Sequence, residues 1–227
     1  MDVLKQIKGG VVVSCQALEN EPLHSSFIMG KMALAAQEGG AVGIRANTVD
    51  DIVEIKRNVD LPVIGIIKRD YDGSEVFITP TEKEISELLS TETEIIALDA
   101  TSRKRPTETS IAGLVKMIHD GNRLAMADIS TFEEAVQAKE DGFDLVSTTL
   151  AGYTDYSRKT DEPDIDLLKQ IVEQVDLPVV MEGHTNHPAQ VTKAYEAGAF
   201  SVVVGSIITR PQLITKSYVE AAKKAND

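Results

Sequence analysis

The chain has too few cysteines, too few basic residues and no apolar run long enough for several broad classes of function. A single cysteine, Cys15, stands among 227 residues. No internal disulfide can form, and the chain suits a reducing compartment. Lys and Arg number 23 against 36 Asp and Glu, a formal net charge of −13. Such a chain repels nucleic acid and anionic membrane unless it carries a local basic patch. The densest basic cluster, Arg103-Lys104-Arg105, is short, so neither a nucleic-acid partner nor a membrane partner is expected. The opening MDVLKQIKGGVVVS lacks the apolar core of a signal peptide, and no later run could span a bilayer. A cytoplasmic protein is expected. No linker, low-complexity tract or coiled-coil run interrupts the sequence, so one domain over residues 1–227 is expected.

What the sequence does have is rhythm, with apolar runs and amphipathic segments alternating from end to end. GVVVSCQ (Gly10 to Gln16) precedes a helical pattern from Phe27 to Glu38, stopped by Gly39-Gly40. AVGIRA precedes a helix capped by Thr48, with Asp50 and Asp51 in its first turn. PVIGIIK leads into YDGSEVFITP, which reads as a loop with a short extra strand, and Thr81 then caps EKEISELL. EIIALDA, LAMADI, LVSTTLAGY, PVVMEG and SVVVGSIIT continue the series, each followed by a helical segment. Continuous Val/Ile/Leu strands between amphipathic helices indicate a parallel sheet covered by helices. Eight such units at this length predict a closed (β/α)8 TIM barrel. The competing open doubly wound sheet would want a G-x-G-x-x-G after the first strand, and none is present.

Active sites of such barrels lie at the C-terminal ends of the strands. The last polar residues of the eight runs are Gln16, Arg45, Lys68, Asp99, Asp128, Thr148 or Thr149, Glu182, and Gly205 or Ser206. Turns favour Asn, Asp, Gly and Ser, so Gln, Arg, Lys and Glu at strand ends point to chemistry. Lys68 follows an apolar run, where desolvation lowers an amine towards a useful base, although a snorkelling surface lysine fits the adjacent Arg69 and Asp70. Glu182 sits between an apolar run and a glycine and needs either a partner or a shifted pKa.

The two strands that carry Lys68 and Glu182 both open with VDLPV, and they are third and seventh of eight. They face each other across a barrel. Lys68 lies six residues past Pro62 and Glu182 four past Pro178. Both offsets are even, so both side chains point inward, at different heights unless barrel shear compensates. A base and an acid on opposite walls suit a reaction in which a proton leaves one face of a carbon and returns to the other. Gly183, Gly205 and Ser206 lie where barrel enzymes bind phosphate through backbone N–H groups, with Arg210 near enough to add charge. Alone, these glycines read equally as turn residues. His184 and His187 do not form a zinc pattern, Asp99 is free to meet substrate or to pair with Arg103, and Cys15 reads as a small core residue.

As an ordered set, CQA at Cys15, GIRA at Gly43, Lys68, LDAT at Leu98, MADIST at Met126, STTLAGYT at Ser147, EG at Glu182 and VGSIITRP at Val204 resemble the bacterial N-acetylmannosamine-6-phosphate 2-epimerase family. The resemblance covers essentially the whole chain, one motif per strand end. It implies a barrel of the ribulose-phosphate-binding type that needs no metal or cofactor, is often a homodimer, and takes a small sugar-phosphate substrate. It further implies interconversion of N-acetylmannosamine 6-phosphate and N-acetylglucosamine 6-phosphate in sialic-acid breakdown. By motif, Lys68 is implied as catalytic base and Glu182 as its acidic partner. Gln16, Arg45, Asp128, Thr148 and Tyr153 are implied as sugar-binding, and Gly183, Gly205, Ser206 and Arg210 as the phosphate site. One departure is Ile207, where a small residue is expected, which puts the packing under the phosphate loop in question.

Three rival readings remain at this point. A class I aldolase would form a Schiff base on Lys68, and a metal-dependent pentose-phosphate epimerase would want His and Asp at several strand ends. A non-catalytic sugar-phosphate binder would have little use for a partly buried lysine opposite a buried glutamate.

Overall fold

A computed structural model describes residues 2–225. Eight parallel strands close into a barrel in the order β1 to β8. They are β1 (Val11–Cys15), β2 (Gly43–Asn47), β3 (Val63–Ile66), β4 (Ile95–Asp99), β5 (Leu124–Asp128), β6 (Leu145–Ser147), β7 (Val179–Met181) and β8 (Ser201–Val204). Helices α2 (Ser26–Glu38), α3 (Val49–Asn58), α4 (Glu82–Leu89), α5 (Ile111–Asp120), α6 (Phe132–Glu140), α7 (Ile165–Gln174) and α8 (Pro188–Glu196) follow strands 1 to 7 in turn. The alternation predicted from sequence is therefore the fold. No helix of the described residues is long and apolar enough to cross a membrane.

The strands are apolar on both faces because both faces are covered. Val12, Ile64, Ile66, Ile95, Ala97, Met126, Leu145, Val180 and Val203 point inward and form one cluster. Val13, Ile44, Val63, Ile96, Leu98, Val146, Val179 and Val202 point outward into a second cluster that includes the helices. Each buried Val, Ile or Leu contributes about 1.5–3 kcal/mol. The N-terminal helix α1 (Val3–Ile7) plugs the inner core with Ile7, fully buried. The helix starts follow their caps: Thr81 and Thr131 each close a capping box, with Glu84 and Glu134.

Three segments differ from the sequence expectation. YDGSEVFITP forms no extra strand; its only ladder contact is a single antiparallel bridge, Lys68↔Ile78. SVVVGSIIT is not one strand, because β8 ends at Val204 and Ser206–Thr209 form a short helix, α9, ahead of α10 (Pro211–Lys224). LVSTTLAGY is strand only to Ser147.

Strand register sets the heights in the barrel. The register of Ile64 carried through β4, β5 and β6 reaches β7 at Asp176; carried through β2, β1 and β8 it reaches His184, eight residues further. That offset is the shear of this barrel class. It puts the inward side chains of Ser14, Ile66, Asp128 and Glu182 in one layer, Arg45 in the layer below, and Gln16 and Lys68 two residues higher. Shear therefore does not cancel the mismatch expected between Lys68 and Glu182. The lysine backbone stands on the order of 5 Å above that of the glutamate along the axis, a span its four-carbon stem can cover.

Candidate active site

A cavity of about 530 Å³ opens at the C-terminal mouth of the barrel, a size suited to a small ligand. Its floor is built around Arg45. The guanidinium is almost completely buried and grips Asp128 with both ends, Nη1 to Oδ1 at 3.0 Å and Nη2 to Oδ2 at 2.5 Å. The same Nη1 donates to Glu182 Oε2 at 2.8 Å. Thr149 joins the pair, its hydroxyl 2.7 Å from Asp128 Oδ1 and 3.1 Å from Glu182 Oε2. Planar Arg suits this double grip in a way that Lys cannot.

Glu182 thus has the partner that its burial demands, and that partner is Arg45. Burial still pushes its carboxyl above the usual carboxylate range, helped by the neighbouring Asp128 and opposed by Arg45, Thr149 and Lys68. Lys68 moves the other way. Burial, with the positive charges of Arg45 and Arg210, brings its ammonium down from 10.5 to about 8, against the pull of Glu182 and Asp128. Its backbone N–H is fixed by Asn47 Oδ1 at 2.8 Å. Both side chains line the cavity, one just past the end of β3 and one just past the end of β7. An amine lowered to about 8 and a carboxyl raised above its usual range, on opposing walls, can exchange protons with a carbon held between them.

The remaining expected residues divide into those that line the cavity and those that do not. Gln16 lines it, donates to Ser14 Oγ at 2.8 Å and keeps Oε1 buried with no partner among the described residues. Tyr153 lines it and stacks on His184, ring centroids 4.9 Å apart and planes 8° from parallel. Gly183, Gly205, Ser206 and Arg210 line it too. Gly183 has φ +105°, and His184 follows at φ +55°, so the chain turns sharply after β7. At Gly205 an added Cβ would lie 3.4 Å from Ser14 Cβ, where β8 approaches β1. The N–H groups of Ser206 and Ile207 lie ahead of the first hydrogen bond of α9, Ile208 N–H to Gly205 C=O at 2.8 Å. Arg210 Nη1 donates to Ser206 Oγ at 2.9 Å.

Two residues expected to contact the sugar are absent from the cavity lining. Thr148 does not line the cavity: its hydroxyl donates to Glu182 C=O at 2.9 Å and accepts the Glu182 N–H at 3.1 Å. It pins β6 to the end of β7, and Thr149, one residue on and of opposite parity, faces inward instead. Asp128 is fully buried against Arg45 and reaches the cavity only through Arg45 and Thr149. Asp99 pairs with Arg103 at 2.5 Å and lies outside the lining. Ile207 is exposed and does not line the cavity. Phe77 and Ile78 line the cavity without having been singled out as ligand contacts, and His184, next to Gly183, lines it as well. Among the described residues no three of His, Cys, Asp and Glu converge as a metal site.

The family described as "Putative N-acetylmannosamine-6-phosphate epimerase" matches residues 29–224. A protein of Clostridium perfringens named "Putative N-acetylmannosamine-6-phosphate 2-epimerase" is 57% identical over 221 residues, covering 97% of this chain and 100% of that protein. A Clostridioides difficile protein of the same name is 56% identical over 219 residues, covering 96% of this chain and 98% of its own. The solved structure of the N-acetylmannosamine-6-phosphate 2-epimerase from Clostridium perfringens superposes with a TM-score of 0.96 at 56% identity, covering 97% of this chain and 96% of that one. These relatives favour neither a Schiff-base aldolase nor a non-catalytic binder. The cavity set and these full-length similarities lead to one conclusion: the chain belongs to the N-acetylmannosamine-6-phosphate epimerase family.

Proposed function

We propose that this chain interconverts N-acetylmannosamine 6-phosphate and N-acetylglucosamine 6-phosphate by moving a proton at C2, as a step of amino-sugar and sialic-acid breakdown. One observation carries the reading: Lys68 and Glu182 face one cavity from opposite walls with pKa values displaced towards each other.

The C2 hydrogen is acidic only in the open-chain sugar, where C1 is an aldehyde. The neutral Lys68 amine takes that proton and becomes an ammonium, leaving an enolate whose charge spreads to the C1 oxygen. The buried Arg45 cation and the new ammonium stabilise that charge. Protonated Glu182 then returns a proton to the opposite face of C2 and becomes a carboxylate held by Arg45. In the reverse direction the two groups exchange roles. Gln16, with its unpartnered Oε1, accepts a sugar hydroxyl, and Tyr153 closes the open side. Asp128 acts through Arg45, and Thr148 through the backbone of Glu182. The phosphate is held by the free N–H groups at the start of α9, by the tight turn at Gly183 and by Arg210.

Epimerisation in heavy water tests the reading. Deuterium should appear at C2 of both sugar phosphates, and Lys68→Ala should nearly abolish turnover. Near-normal turnover in that variant would remove Lys68 from the chemistry.

The same proposal includes a cytoplasmic homodimer. No residue of α10 is buried, and Leu213, Tyr218 and Val219 stand exposed on it beside Ile207 and Ile208. A second copy packed against this uncovered helix fits these exposed apolar side chains, and sedimentation of the purified chain at twice its 24.6 kDa mass is the expected result.

A further inference from the structure

Glu21 lies in the loop between β1 and α2, outside the cavity lining. None of the motifs that mark the site includes it. Yet its carboxylate is held by four contacts. Oε1 lies 2.7 Å from Arg210 Nε, and Oε2 accepts Arg210 Nη2 at 3.0 Å. Oε1 also accepts Gln212 Nε2 at 3.0 Å, and Oε2 accepts the Leu18 N–H at 2.7 Å. The Leu18 and Gln212 contacts come from opposite ends of the sequence and fix the carboxylate before it meets Arg210.

A guanidinium has two edges suited to an oxyanion, Nε with Nη2 and Nη1 with Nη2. Glu21 faces the first, accepting a hydrogen bond from Nη2 while Nε meets it as an ion pair without an aligned hydrogen bond. The remaining nitrogen, Nη1, donates to Ser206 Oγ, and both Arg210 and Ser206 line the cavity. The carboxylate therefore holds the arginine side-on, with its far end turned to the start of α9. Burial would raise the Glu21 carboxyl, but Leu18 N–H and Arg210 outweigh it and hold it below the usual range. It stays charged at neutral pH.

We infer that Glu21 is the positioning residue of the phosphate site: it fixes the Arg210 guanidinium in the orientation that receives the substrate phosphate, without touching substrate itself. A long, flexible arginine would otherwise lose side-chain freedom on each binding event. Outer partners of this kind tune an anion or metal ligand through its orientation. The inference rests on the phosphate reading of Arg210 given above.

The test is steady-state kinetics of the full-length chain, with inorganic phosphate as a competing probe. Glu21→Ala should raise KM for N-acetylmannosamine 6-phosphate roughly tenfold and weaken inhibition by inorganic phosphate by a similar factor. The effect on kcat should be far smaller. Glu21→Gln keeps an acceptor oxygen and the shape of the loop, so it should fall between Ala and the native chain; it also serves if the Ala variant folds poorly. The double variant Glu21→Ala/Arg210→Ala should be no worse than Arg210→Ala alone, because the two residues act as one unit. A loop that merely supported the fold would lower kcat and thermal stability without this split. If Arg210→Ala raises KM while both Glu21 variants leave KM and phosphate inhibition unchanged, the positioning role is overturned and the phosphate reading stands. If Arg210→Ala itself leaves KM unchanged, the phosphate reading and this inference fall together.

Discussion

Arg45 holds Glu182 from one layer beneath it in the barrel, with Nη1 2.8 Å from Oε2, while the same guanidinium is locked onto Asp128. A buried and a partly buried carboxylate therefore share one cation, and the more exposed of the two is the one that lines the cavity. This arrangement explains how Glu182 can sit at the end of an apolar strand and still be free to gain or lose a proton.

Removing the shared cation should be costly. Arg45→Met leaves Asp128 and Glu182 facing each other unpaired, and breaking a buried pair costs about 3–5 kcal/mol. A large fall in Tm, together with loss of epimerisation, is the expected result. Arg45→Lys should recover little, because a single ammonium cannot reproduce the two-ended grip on Asp128 while also reaching Glu182. A Lys variant with native activity would contradict the role of the planar fork.

The amine of Lys68 destabilises the fold that uses it. Its value in the folded chain is about 8, against 10.5 for the free side chain, so the unfolded chain binds more protons between those two pH values. Stability attributable to this group is lowest below about pH 8 and rises as pH approaches 10.5. Lys68→Met should be inactive yet more stable at pH 7, by about 1–2 kcal/mol, with the advantage shrinking towards pH 10. Denaturant melts at both pH values check this, and a Met variant equally stabilised at both would contradict it.

Arg210 helps to hold the Lys68 pKa down. Arg210→Ala removes that positive charge, so the Lys68 value should rise. The rate of acetylation at Lys68, followed by mass spectrometry across pH, should then reach its plateau at higher pH than in the native chain. A shift in the acid direction would contradict the electrostatic account.

Adjacent threonines should behave differently. Thr149 donates to Glu182 and lowers its pKa, so Thr149→Val should move the limb of the pH–rate profile governed by Glu182 to higher pH. The Thr148 hydroxyl bonds the backbone of Glu182 and not its carboxylate. Thr148→Val should cost about 1 kcal/mol of stability and leave that limb in place. Equal limb shifts in both variants would contradict the assignment of Thr149 to the cavity.

Much of this site is written in period-two alternation. The shared VDLPV openings give the parity that turns both Lys68 and Glu182 inward, because each lies an even count from its proline on a strand buried on both faces. The same parity distinguishes Thr149 from Thr148, since Thr149 shares a face with Leu145 and Ser147; the signal was present there too, but the strand ends one residue earlier, at Ser147, which blurs it. The partnership of Arg45 with Glu182 was not legible. It depends on how far a long side chain on β2 climbs past its own layer, and strand counting places backbone atoms only. Glu21 was hidden for a similar reason: it belongs to an irregular loop whose path is fixed by contacts with Arg210 and Gln212, nearly two hundred residues away in sequence. The helix α1 escaped notice because its apolar run is too short to carry a period of its own, and its burial comes from plugging a barrel that the other strands build.

The central claim is that Lys68 and Glu182 serve opposite faces of C2, and exchange in heavy water with Glu182→Gln tests it most directly. That variant should lose epimerisation but still exchange the C2 hydrogen of one epimer with solvent, through Lys68 alone, while the C2 hydrogen of the other epimer stays unexchanged. Exchange at C2 of both epimers with continued interconversion, or no exchange in either, would contradict the two-wall account.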